Sequence, residues 1–92
     1  MANAVVTIRI MPESPETDLH ELEAKAKAEI VKFAGKGDTK TTIEPVAFGL
    51  SSLSIIFIMD EKIGSPDPVA EKIAKMKGVN SAEITDVRRA IG

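Results

Sequence analysis

Cysteine, tryptophan and tyrosine are all missing from this 92-residue chain, and histidine occurs once. Without thiols there is no disulfide staple, thiolate metal ligand or cysteine nucleophile, and one imidazole leaves a zinc site without a ligand set. Basic charge is also short. Twelve Lys+Arg stand against fourteen Asp+Glu, a net charge of −2, which argues against the basic face that nucleic-acid binders turn toward phosphates. Of three phenylalanines, only Phe57 falls well inside an expected strand, so a ring platform for stacking RNA bases is missing too. No apolar run approaches the roughly 18 residues of a membrane span. The start Met1-Ala2-Asn3-Ala4 lacks the basic region of a secretion signal, and a cytoplasmic chain without membrane contact is expected. Neither G-x-x-x-x-G-K-[ST] nor G-x-G-x-x-G occurs, so the chain itself is expected to bind no nucleotide.

What is present reads as one globular domain spanning 1–92, with 43% hydrophobic and 28% charged residues. A domain this small hides only about 60–70% of its unfolded surface, which leaves little chain for an active-site cavity. Val5 to Met11 alternates, with Val6, Ile8 and Ile10 on one face, and predicts a strand stopped at Pro12-Glu13-Ser14-Pro15. Asp18 with Glu21 fits a capping box, and Leu19, Leu22, Ala26, Ile30 and Phe33 form an apolar stripe, giving a helix over 18–34. Thr39 to Ala47 is a polar, β-branched strand whose Pro45 suits a sheet edge, followed by a turn at Phe48-Gly49. Leu53, Ile55, Phe57 and Met59 face one way and Ile56 and Ile58 the other, as in a central strand. Asp67 is expected as N-cap and Pro68 as first residue of a second helix with inner stripe Val69, Ile73 and Met76, ended by Gly78. Val79 to Val87 reads as a final strand with Ala82 and Ile84 inside. The order βαββαβ predicts an α+β, ferredoxin-like plait: a four-stranded antiparallel sheet with two helices on one face.

Few residues suggest chemistry. His20, in a first helical turn, reads as a surface residue. Glu13, Glu16, Asp18, Glu21 and Glu23 cluster where the helix dipole favours carboxylates, and no accompanying residues supply a metal site. Ser51, Ser52 and Ser54 lack a G-x-S-x-G context or a histidine partner. No catalytic residue, metal or cofactor is therefore expected. Two features stand apart. Phe48 places an apolar ring at a hairpin tip, where it needs the core or a partner. Arg88-Arg89 puts two permanent cations just beyond the last expected strand, and neighbours on a strand point to opposite sides.

Three segments, taken together and in order, resemble the archaeal form of the translation elongation factor 1-beta family. They are Ile10-Met11-Pro12-Glu13-Ser14-Pro15, Glu44-Pro45-Val46-Ala47-Phe48-Gly49-Leu50 and Ile84-Thr85-Asp86-Val87-Arg88-Arg89. The resemblance implies a ferredoxin-like guanine-nucleotide exchange module, spanning practically the whole chain and standing without a separate N-terminal domain. It implies a non-covalent factor that promotes GDP release and GTP exchange on the GTPase elongation factor 1-alpha by disturbing its magnesium and phosphate site. Phe48 and Gly49 match the family's Phe-Gly hairpin and are expected to touch the GTPase. Eukaryotic relatives insert a penultimate lysine, but Ile91 stands there, followed by Gly92, so the nearest cations for that role are Arg88 and Arg89. Two other readings compete: an ACT-like small-molecule-binding regulatory module, which would have to dimerise, and a ribosomal protein, which the net charge disfavours.

Overall fold

Alternating apolar residues set the layers. The computed structural model describes residues 3–35 and 37–90. The strand β1 (Asn3–Pro12) buries every second side chain, Ala4, Val6, Ile8 and Ile10, and leaves Val5, Thr7 and Arg9 half-covered on the reverse face. Its antiparallel neighbour β3 (Ser51–Asp60) does the same with Leu53, Ile55, Phe57 and Met59. β2 (Thr39–Pro45) pairs outside β3, and β4 (Val79–Ala90) pairs outside β1, giving the antiparallel order β2-β3-β1-β4. The two most apolar strands lie in the middle and the two polar ones at the edges, where unpaired backbone groups meet water. This is the expected ferredoxin-like arrangement.

Helices α1 (Leu19–Ala34) and α2 (Asp67–Ala74) cover one sheet face with Leu22, Ala26 and Ile30 from the first and Val69, Ala70 and Ile73 from the second. Each large side chain so buried stabilises the fold by about 1.5–3 kcal/mol. Asp18 caps α1 by accepting from the His20 and Glu21 amides at 3.0 and 3.3 Å, which satisfies donors that no helical carbonyl can reach. The Glu21 carboxylate turns instead to Lys25, at 3.0 Å. Glu23 pairs with Lys27 at 3.1 Å. The Thr41 hydroxyl on β2, and then Lys27, hold the Glu23 carboxyl below its ordinary value by favouring its charged form. Thr41 Oγ1 itself is buried and reaches no partner of full hydrogen-bond geometry.

The structure moves several expected boundaries. α2 starts at Asp67, with Pro66 rather than Asp67 at the cap position. The Ser65 hydroxyl accepts from the Asp67 amide at 3.2 Å and so supplies the missing cap one residue early. α2 also ends at Ala74, not at Gly78. Lys75 and Met76 donate to Lys72 and Ile73 at 3.3 and 3.0 Å, and these short-span bonds tighten the chain out of the α-helix before Gly78, at φ 90°, turns it into β4. β2 stops at Pro45 rather than Ala47. β4 runs on to Ala90, so Arg88 and Arg89 lie within the last strand and not beyond it.

Candidate partner-contact site

The β2–β3 connection overhangs the sheet. Pairing between β1 and β3 ends at Ile10 with Leu53, which leaves residues 46–50 beyond the last rung of the central strands. The Leu50 amide donates to the Ala47 carbonyl at 2.9 Å, and Phe48 and Gly49 between them have φ of 54° and 78°. Positive φ at both central residues is the signature of a type I′ turn, whose twist matches that of paired strands. Gly49 takes this conformation freely. Phe48 does not, because its Cβ crowds the backbone at a cost of about 1 kcal/mol. It is the one non-glycine among the described residues with positive φ, and its ring is 95% exposed. Neither local stability nor core packing accounts for a phenylalanine there.

Two further apolar side chains share this end. Ile43 and Val46 are each 46% exposed, and with Phe48 they line the edge of β2 and its tip. Sequence reading singled out neither. Their apolar character on either side of Pro45, in a strand assigned to an edge, was the available signal.

Arg88 and Arg89 occupy the opposite end. Arg88 is registered against Val5, and Arg89 against Ala4, which pair with Ile58 and Met59 of β3. From Gly49 to Met59 the chain climbs roughly 30 Å at about 3.3 Å per residue, most of the 42 Å long axis. The expected site residues therefore form two groups. A β-bulge decides which way each arginine points. Thr7 is paired with Asp86 but Ile8 with Ile84, so Thr85 is an extra residue, its hydroxyl donating to the Thr7 carbonyl at 3.4 Å. Beyond the bulge Val87 and Arg89 share the helix-covered side with Val6 and Ala4, while Asp86 and Arg88 stand on the open side with Thr7 and Val5.

Each cation has a carboxylate. Arg88 Nε lies 2.8 Å from Asp86. Arg89 donates through Nε at 2.8 Å and through an Nη at 3.3 Å to the two oxygens of Glu61, in the short 3₁₀ turn after β3. That hydrogen bonding, and then the negative charge of Glu61, push the Arg89 guanidinium still further above its ordinary value. Both arginines remain charged and mostly exposed. Val87 and Ile63, 52% and 43% exposed, lie close in sequence to this pair. Ile91 and Gly92 lie outside the described residues.

The other candidates have structural partners. His20 is exposed and its amide serves the Asp18 cap. The Ser52 hydroxyl is buried and donates to the Glu44 carbonyl at 3.5 Å, while Ser51 and Ser54 are half-buried. Among the described residues no three or more His, Asp or Glu side chains gather as a metal site would require. A cleft of about 420 Å³ between the start of α1 and the α2–β4 turn is lined by Asp18, Glu21, Lys25 and Lys77 among others, and contains none of the expected contact residues. No helix among the described residues is long and apolar enough to cross a membrane.

Residues 5–90 match the family described as the EF-1 guanine nucleotide exchange domain. The chain belongs to that family. Relatives named elongation factor 1-beta include one from Methanobrevibacter smithii, 43% identical over 89 residues covering 97% of this chain and 98% of the relative. Another, from Methanosarcina acetivorans, is 40% identical over 91 residues covering 97% and 99%. The exchange-domain family fixes the role: the chain is a guanine nucleotide exchange factor of translation elongation, and an ACT-like regulatory module is not favoured. Among solved structures, a de novo designed protein, Foldit4, superposes with a TM-score of 0.63 at 17% identity over 98% of both chains. That likeness concerns the plait alone.

Proposed function

We propose that this exchange domain, as the single unit 1–92, acts on the GTPase elongation factor 1-alpha by gripping it at two places. Phe48 and Gly49, with Ile43 and Val46 beside them, form an apolar contact at one end. Arg88 and Arg89 bring positive charge toward the magnesium and phosphate site from the other. The observation that carries this reading is Phe48, a 95% exposed ring held at positive φ. Aromatic side chains that fill a pocket on a second protein supply much of the free energy of association.

Exchange then follows from linkage, without a bond in the nucleotide being broken. A protein that binds the empty GTPase more tightly than the filled one weakens nucleotide binding by the same factor. About 4 kcal/mol of differential affinity corresponds to a thousandfold change. Mg²⁺ neutralises phosphate charge in such sites, so a protein cation that competes for the same oxygens loosens the nucleotide's hold. The exchange domain need bind neither nucleotide nor nucleic acid itself. Arg89 must leave Glu61, and Arg88 must leave Asp86, before either can serve. These ion pairs are exposed and screened by water, so release is cheap.

Substoichiometric amounts of the protein are expected to accelerate release of fluorescent GDP from elongation factor 1-alpha in excess GTP. An unchanged release rate with a folded cognate GTPase would end the proposal. Neutralising both cations, as in the double variant Arg88→Gln, Arg89→Gln, is expected to lower the saturating exchange rate by about tenfold while changing affinity by less than about threefold. Equal losses in both quantities would make the arginines ordinary contacts, and no loss would move the cation role to another group.

A further inference from the structure

The tip that carries Phe48 has no sheet beneath it, because residues 46–50 project past the last β1–β3 pair. What lies against it is Pro15. A methyl group built on Gly49 would stand 3.6 Å from Pro15 Cγ and 3.7 Å from its Cβ, so the proline ring faces the turn across the width of one carbon.

The loop that carries Pro15 is tied down on both sides of it. Pro12, at the end of β1, is buried. The Glu13 amide donates to the Gly78 carbonyl at 2.9 Å, which ties the loop to the α2–β4 turn. The Thr17 amide donates to the Ser14 carbonyl at 3.2 Å, and the Ser14 hydroxyl accepts from the Glu16 amide at 3.2 Å. Thr17 Cγ2 would lie 3.5 Å from a Cβ on Gly78, a second contact with the same turn. Within this frame the pyrrolidine ring locks its own φ. A rigid ring, carried on a loop that Glu13 and Thr17 tie to the α2–β4 turn, thus stands one carbon's width from an overhanging hairpin at its glycine and limits how far the tip can swing toward it.

We infer that Pro15 is a positioning residue for exchange: it buttresses the hairpin at Gly49 and so fixes the direction in which Phe48 is presented to the GTPase. The inference rests on the contact role proposed for Phe48. Restricting the tip before binding reduces the entropy lost on association, which appears as affinity rather than as turnover.

The test is Pro15→Ala, with Pro15→Gly as a second variant; Pro15 is exposed, so both should fold and melt within a few degrees of the parent. In the isolated protein, ¹⁵N relaxation should show the order parameters of Phe48 and Gly49 falling into the flexible range, below about 0.6. In exchange assays, the concentration of elongation factor 1-alpha giving half-maximal rate should rise about fivefold with the saturating rate unchanged. In a Phe48→Ala background the same Pro15 change should add less than about twofold, since there is no ring left to aim. Unaltered order parameters overturn the inference, as does a fivefold loss that persists without Phe48. If Phe48→Ala weakens exchange and Pro15→Ala does not, only the positioning role falls. If Phe48→Ala has no effect on exchange, the contact role falls and takes the buttress with it.

Discussion

Phe48→Ala will weaken binding to elongation factor 1-alpha by about ten- to a hundredfold, the range expected when a buried aromatic anchor is truncated at a protein interface. The free protein should lose nothing. With 95% of its surface in solvent, the ring makes almost no contact within the chain, so removing it costs no packing. A sharper version replaces Phe48 with asparagine, which accepts left-handed backbone at the first central position of a type I′ turn. Phe48→Asn should stabilise the isolated domain by about 1 kcal/mol, or roughly 4–8 °C in melting temperature, while losing affinity like the alanine variant. Opposite signs for stability and binding would mark a residue retained for its partner. A fall in melting temperature in both variants would show that the ring packs on its own domain in solution, and the apolar contact would have to be sought elsewhere on the surface.

The second large effect concerns the fold. Phe57→Ala should destabilise the domain by about 3–5 kcal/mol, a substantial part of the 5–15 kcal/mol typical of whole domains. Phe57 is 1% exposed, beneath the helices, and pairs across β1 with Val6. Its neighbour Ile58, on the open side of the same strand and 45% exposed, provides the control: Ile58→Ala should cost less than about 1.5 kcal/mol. Urea midpoints at constant slope measure both. Equal losses at the two positions would mean that the open face is covered in solution, contrary to the layer order described.

The core could be read in advance because a two-residue period leaves little freedom. Val6, Ile8 and Ile10 had to share a side, as did Leu53, Ile55 and Phe57, and proline in β2 pointed to an edge. The errors arose where side-chain hydrogen bonds or tight turns, rather than periodicity, set the limits. Ser65 capped α2 in place of Asp67, and the 3₁₀-like bonds of Lys75 and Met76 ended it before Gly78. The contact site was legible in part. Phe48 stood out because a ring beside glycine at a turn is costly, but nothing local in sequence linked it to Pro15, more than thirty positions earlier. That approach exists only once β1, β2 and β3 are assembled. The separation of Phe48 from the arginines was implicit in antiparallel pairing, since the start of β3 and the end of β4 lie at opposite ends of such a sheet.

Thr85 has a consequence for how such a surface can change over generations. Because the bulge absorbs one extra residue, loss of the Thr85 codon would straighten β4 and leave Asp86 opposite Thr7, Arg88 opposite Val5 and Arg89 opposite Ala4, each cation on the side it now holds. An indel at the bulge is therefore silent for the direction of both arginines, whereas one between Asp86 and Arg88 would slide the register and exchange their sides with no charge altered.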